Sequence, residues 1–273
     1  MRTAQDICLL CLNENATQRN SHIVSKFISK GILGAKGSRK GFILDTENPE
    51  RPKPDQDTAK EDFILCPSCE SYLHVLETYI AENLHKRILH QKYNDDFTYR
   101  TNPGGLEYAI CNNVNRLVAR LFFTSIYWRC SITSTLPFVD FKLAEEELIR
   151  KELFRHKTQS ISDLLIDNDD LTLNNKPLVI IRSKKGRDQT YNYLIDRIID
   201  DGTYLLGLNE YLTMFGVNET LITQQFGSLA NKGEKPLTVI IANGEMWNSF
   251  TQNVIKLYKH GVETKSKNKK SSN

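Results

Sequence analysis

The chain has 273 residues, 40% of them hydrophobic and 25% charged, which excludes a disordered or fibrous protein and leaves room for one large domain or two smaller ones. A net charge of +3 is too small to argue for nucleic acid by itself. The N-terminus, MRTAQDICLLCLNE, lacks the apolar core of a signal peptide, and the most apolar stretch, Leu117 to Trp128, is interrupted by Arg120 and is too short for a bilayer, so a soluble, cytoplasmic protein without membrane association is expected.

Cys8 and Cys11 form a CxxC knuckle that is matched further on by Cys66 and Cys69. Two thiol pairs at i, i+3 spacing present four sulfurs to one tetrahedral centre, so a structural zinc with these four ligands is expected. Only Cys111 and Cys130 are left over, which suits a reducing compartment better than a disulfide framework. Between the knuckles, Ser21, His22 and Ile23 sit in a short apolar segment. Lys26, Lys30, Lys36, Arg39 and Lys40 follow, interleaved with Gly31, Gly34, Gly37 and Gly41 and with no acid among them. Glycines let backbone N–H groups approach a phosphate while the cations supply countercharge, which makes Lys26, Lys36, Arg39 and Lys40 candidate nucleic-acid contacts. An ordinary surface loop is the alternative.

Asn48 to Asp57 is polar and proline-rich and reads as a surface excursion, and Glu61 to Leu65 as a strand. The second knuckle opens a helix in which Tyr72, Val75, Leu76, Tyr79, Ile80 and Leu84 recur at helical spacing with no Pro or Gly before Tyr93, and Glu70 lies in its first turn. Thr101 to Gly105 is a polar turn and a domain boundary, which gives a metal module over residues 1–95. Leu106, Ile110, Val114, Leu117, Val118, Leu121 and Phe122 then predict one long helix, apolar nearly all round and therefore buried. Asp140 caps a further helix through Phe154, with Glu145, Glu146 and Glu147 preceding Arg150, Lys151 and Arg155 at ion-pair spacing.

From Leu171 the texture turns to β. Strands are expected over Pro177 to Arg182 and Leu237 to Ala242, with a hairpin-like pair over Tyr191 to Ile199 and Gly202 to Leu208. Asp167 to Asp170 lacks the fixed glycine and terminal glutamate of a calcium loop and reads as polar surface. A last helix covers Met246 to Tyr258. The helices and mixed α/β region run over residues 96–260, and residues 261–273 form a disordered basic tail; from Lys256 onward there are six lysines against one acid. The fold class is α+β.

The order CxxC, a histidine followed by Ile-Val and a lysine, then an apolar segment ending in Leu-Cys with CxxC and a helix resembles the zinc-braced HNH endonucleases of the ββα-metal fold. The resemblance covers about a third of the chain. It implies an N-terminal ββα-metal-like zinc module, His22 as general base and a metal ligand from the helix at Glu70. It also implies DNA as substrate and, through kin in multi-component systems, prokaryotic antiphage defence with a protein partner. Ser21 stands where those enzymes carry an acidic ligand, Ser25 where they carry proline, Glu61 or Asp62 where an asparagine is usual, and Glu70 where histidine or asparagine is usual. The chain is also similar to a group of prokaryotic proteins with a CxxC, SHI and CxxCE pattern, a likeness that assigns no activity.

Phosphodiester hydrolysis needs a base near neutral pKa and a cation at the scissile phosphate. His22 suits the first role. Glu70, His74 and Glu77 lie at i, i+4 and i+7 on one helical face and suit Mg or Mn for the second. Alternatively, Glu70 serves the helix dipole, His74 and Glu77 are solvated or hydrogen-bonded locally, and His22 is held by packing. A metal-dependent DNA endonuclease is the leading expectation; the other is a non-catalytic zinc module that binds nucleic acid or a partner protein.

Overall fold

The computed structural model describes residues 2–29, 41–43, 53–55, 58–158, 160–166, 172–184, 194–198, 202–216, 226–233, 235–249 and 252, with backbone alone at 41–43, 53–55 and 194–198. The elements in order are β1 (Ser21–His22), α1 (Lys26–Ser29), β2 (Gly41–Ile43), β3 (Lys53–Asp55), β4 (Lys60–Glu61), α2 (Pro67–Ile80), β5 (Phe97–Thr101), β6 (Glu107–Cys111), α3 (Arg116–Ile132), α4 (Glu146–Arg155), α5 (Ile161–Ile166), β7 (Leu178–Ser183), β8 (Leu194–Ile198), β9 (Thr203–Leu208), β10 (Tyr211–Gly216) and β11 (Thr238–Ala242). The architecture is α+β, with a four-cysteine cluster at the N-terminal end. No helix among the described residues is long and apolar enough to cross a membrane.

Seven strands form one sheet in the order β5-β6-β11-β7-β10-β9-β8, antiparallel throughout except for the parallel pair β11 and β7. Every residue of β7 and β10 is buried, because the sheet has apolar cover on both faces. Alternation sends Leu178 and Ile180 toward the helices, and Val179 and Ile181 toward a smaller cluster with Leu212, Met214, Ile240 and Trp247.

Helix α3 is the centre of the molecule. Asn115 caps it by accepting from the Val118 N–H at 3.0 Å, and every residue from Leu117 to Ser131 is buried. Tyr127 donates to Thr213 Oγ1 at 3.0 Å and so ties α3 to the sheet, while α2 and α4 pack on its other sides. Arg120, buried in the apolar run, spends its guanidinium on the backbone carbonyls of Asn231, Leu173 and Lys176. One continuous apolar core runs from Cys8 and Leu10 through α2 and α3 to Ile241.

Several predicted elements are corrected. The helix expected from Leu106 begins at Arg116, and residues 107–111 form β6 instead. Their i, i+4 apolar spacing also fits a strand whose alternate residues, Ala109 and Cys111, are buried against the neighbouring strands. The predicted turn near 101–105 joins β5 to β6, and β5 was not anticipated. That helix, α2, passes through a π-type turn at Ala81–His85 and stops short of Tyr93, where Leu89 takes a left-handed φ of 65°. The strand expected over Glu61 to Leu65 is confined to Lys60–Glu61.

The helix expected from Asp140 starts at Glu146. Hydrogen bonds from the Leu143 N–H to Ser131 Oγ (2.9 Å) and from the Ala144 N–H to the Tyr204 hydroxyl (2.9 Å) hold the preceding segment against α3 and β9 in a non-helical path. The expected ion pairs on α4 do form, Arg150 with Glu147 at 2.6 Å and Lys151 with Glu147 at 3.7 Å. Strands β7, β8, β9 and β11 fall where expected; β10 was not anticipated. The final helix is described over 244–249 and at 252; the rest of its predicted span, the tail and Asp167 to Asp170 lie outside the described residues.

Candidate metal centre

Two loops converge to build the cysteine cluster. In the first knuckle the Leu12 N–H donates to the Cys8 carbonyl at 3.0 Å and Leu12 takes a left-handed φ of 53°, closing the turn that aims Cys8 and Cys11 the same way. Backbone bonds from Leu9 to Ile64 (2.9 Å), Gln18 to Leu65 (3.1 Å) and Phe63 to Gln18 (2.8 Å) then lace this knuckle to the chain entering the second. Cys66 is the extended N-cap residue of α2 and makes no side-chain cap bond. Pro67 starts the helix without an N–H to satisfy, and Cys69 lies in its first turn.

The four sulfurs lie within 4.8 Å of one another, all four residues are buried, and none is in a disulfide. Cys11 Sγ and Cys66 Sγ are 3.9 Å apart. A tetrahedral zinc with Zn–S bonds of about 2.3 Å has S···S edges of about 3.8 Å, which the Cys11–Cys66 separation matches. Its protonation points the same way. A hydrogen bond from the Cys69 thiol, helped by the backbone amides of Cys11, Cys66 and Leu10, holds Cys8 down to about 4 as a thiolate. Burial together with the negative charge of Cys8 pushes Cys66 up to about 11, and the shared proton and burial push Cys69 up as well. Without a cation the cluster cannot carry four negative charges; a divalent ion is what lets all four sulfurs ionise. The group is therefore a four-cysteine cluster able to chelate a metal ion.

The other predicted site residues lie on β1 and α2. Ser21, buried on β1, donates to Glu70 Oε2 at 3.0 Å. Burial raises the pKa of Glu70, opposed by Arg129 and by the Ser21 hydroxyl. Successive side chains on a strand point to opposite faces, and His22, next after Ser21, has Nδ1 3.1 Å from Thr58 Oγ1. His74 is exposed, with Nε2 3.4 Å from Thr78 Oγ1 one helical turn on. Glu77 Oε1 is paired with Arg129 Nη1 at 2.8 Å. Among the described residues, the four cysteines are the only group of three or more His, Cys, Asp or Glu side chains close enough to share a metal. Glu70, His74 and Glu77 share a helix face, and the Arg129 charge that pairs with Glu77 also acts on Glu70.

Arg129 is the residue that sequence reasoning missed. Only 2% of its side chain is exposed, and besides Glu77 it donates to the His22 carbonyl at 2.8 Å, so it binds α3 to both α2 and β1. The signal was present as an arginine in an otherwise apolar helix, since a buried cation requires partners. Glu61 is likewise committed, accepting from the Ser134 N–H at 3.0 Å, the Ser134 hydroxyl at 2.6 Å and the Thr133 hydroxyl. Cys111 is a buried thiol pushed up to about 12 by burial, and Cys130 is buried too, as expected of small core residues. Lys26 is exposed at the start of α1; Lys36, Arg39 and Lys40 lie outside the described residues. Comparison with known proteins finds no family model, no curated protein and no solved structure that matches this chain.

Proposed function

We propose that this chain is a zinc-braced, non-catalytic binding protein whose partner is a nucleic acid. The observation that carries the non-catalytic part is the engagement of the acidic side chains near His22: Glu70 with Ser21, Glu77 with Arg129, and Glu61 with Thr133 and Ser134. A hydrolytic cation needs oxygen ligands aimed at one point, and these three carboxylates are each aimed at a different neighbour. The zinc assignment is supported by the four-sulfur donor set and by its compactness, all four sulfurs within 4.8 Å of one another and one pair at 3.9 Å. The choice of nucleic acid rests on exposed Lys26 at the head of a stretch carrying Lys30, Lys36, Arg39 and Lys40 without an acid. In this reading the zinc organises the scaffold to which that basic stretch is joined in sequence, and nothing is cleaved.

A second reading, the HNH-like endonuclease, is favoured by one observation. His22 stands on a strand paired antiparallel with Lys60, the helix with the second knuckle follows, and Thr58 orients the imidazole through Nδ1. One experiment separates the two. Wild-type protein is mixed with labelled single-stranded and double-stranded DNA in the presence of Mg, Mn or Ni, and mobility and integrity are followed together. Retarded but intact DNA is expected; metal-dependent cleavage products would establish the endonuclease instead, and no binding to either DNA would shift the partner to a protein.

A further inference from the structure

We infer that Arg150 and Lys157, contributed by α4 and the residues just after it, are the countercharge of the four-cysteine metal centre and govern how firmly it keeps its metal. The inference rests on the zinc reading above. Four thiolates around a divalent ion leave two net negative charges on a buried unit, which is costly in a low-dielectric setting unless cations lie close by.

Helix α4 supplies one and the residues after it another. Arg150 Nη1 donates to the carbonyl of Leu10, which lies between Cys8 and Cys11, at 2.8 Å. The guanidinium is thus fastened to the first knuckle itself. Lys157 lies on the same side. Its Nζ is 3.6 Å from the Glu14 carboxylate, and the Glu14 carbonyl accepts from the Cys8 N–H at 2.8 Å, so it too sits against the first knuckle.

Each cation also has an acidic neighbour, and relative exposure shows which way each faces. Arg150 is 14% exposed while its partner Glu147 is 60% exposed, and Lys157 is 17% exposed while Glu14, 3.6 Å away, is 47% exposed. The acids face water, where their fields are screened, and the cations lie inward toward the sulfurs. Arg155 and Glu152, further along α4, are sorted the other way, with the acid buried and the cation exposed, so the inward placement is particular to the two cations beside the first knuckle. The arrangement is an outer shell of charge around the metal ligands, of the kind that tunes metal affinity without touching the ion.

The sign of each residue's effect makes this testable. Zinc content of the purified wild type is measured first, then the rate of zinc transfer to a colorimetric chelator for the variants Arg150→Gln, Lys157→Gln, Lys157→Arg and Glu14→Gln. Loss of a cation should hasten transfer on the order of tenfold, as outer-shell changes do. Lys157→Arg should behave as wild type, and Glu14→Gln, which removes a competing negative charge, should slow transfer. Were the two neutralised variants to release zinc at the wild-type rate, or Glu14→Gln to release it as fast as Lys157→Gln, the residues would be packing elements only and the inference would be overturned. A zinc-free wild type overturns the zinc reading itself, and this inference with it. Lys157→Arg and Glu14→Gln keep side-chain size, so the sign test survives even where Arg150→Gln folds poorly.

Discussion

Arg129 on α3 and Glu77 on α2 pair at 2.8 Å although 52 residues separate them in sequence, and the same guanidinium nitrogen reaches the His22 carbonyl at 2.8 Å. This contact joins the cysteine-bearing part of the chain to its central helix. Replacing Arg129 by Met leaves Glu77 without its cation in a largely desolvated place and should cost roughly 3 kcal/mol or more. Because breaking one side of such a pair costs more than replacing both, Arg129→Met combined with Glu77→Leu should be less harmful than Arg129→Met alone. Urea unfolding of the two singles and the double gives the coupling directly.

Removal of the metal should be the most damaging single change. Tetrathiolate zinc contributes an apparent ~10 kcal/mol or more to small modules, which is comparable to the whole stability of an ordinary domain. Metal analysis should therefore find about one zinc per chain, as a single four-sulfur site requires. Cys66→Ser should lose both the zinc and the protease resistance of residues 2–29 and 58–80, and a strong chelator should reproduce that pattern in the wild type. Full zinc loss with unchanged proteolysis would show that the cluster does not brace the fold.

Asn115 gives a purely local prediction. Its side chain satisfies the Val118 N–H at the start of α3, and Asn115→Ala should cost about 1 kcal/mol, whereas Asn115→Asp or Asn115→Ser should retain most of the stability. Thermal melts of the three variants check it.

The same cap explains part of what the sequence left hidden. The cysteine knuckles were legible because metal ligation leaves a spacing in the chain itself, β7 and β11 were legible as apolar runs, and β9 from the turn residues that precede it. Residues 106–114 were misread because Leu106, Ile110 and Val114 satisfy a helical period by coincidence while Ala109 and Cys111 satisfy a strand; Asn115, the true start signal, lay further on. Strand β10 was missed because its turn with β9 is made by Asn209 in a left-handed conformation, φ 56°, and lacks the glycine or proline that usually marks such a break. The polar partners around His22 could not be read at all. Glu77 finds Arg129, Glu61 finds Ser134 and Ser21 finds Glu70 only after α2, α3 and β1 have packed, and no spacing rule links such distant positions.

The basic stretch carries its own prediction. If Lys36, Arg39 and Lys40 touch phosphates, changing all three to Ala should weaken DNA binding with little sequence preference. It should also reduce the slope of log K against log salt by about 2 to 3, since each lost phosphate contact removes roughly 0.7 to 0.9. Truncation before residue 262 is the control and should leave binding nearly unchanged. The reverse pattern would move the nucleic-acid surface to the tail.

His22 decides between the binding protein and the endonuclease. Its ring meets Thr58 while its carbonyl accepts from Arg129, so the residue helps join β1 to α3 whether or not it has a chemical role. In a binding protein, His22→Ala removes the Thr58 contact and some packing, and the expected result is a lower unfolding midpoint or weaker DNA binding, with intact DNA from both wild type and variant. A general base behaves differently: its loss leaves zinc content, folding and affinity nearly unchanged while cleavage falls by about a hundredfold or more. His22→Gln sharpens the distinction, because it keeps a hydrogen-bonding group near Thr58 but cannot act as a base at neutral pH. Recovery of stability in His22→Gln, with no cleavage by any of the three proteins, is the outcome expected here. Cleavage by the wild type alone would return His22 to the catalytic role that its sequence context first suggested.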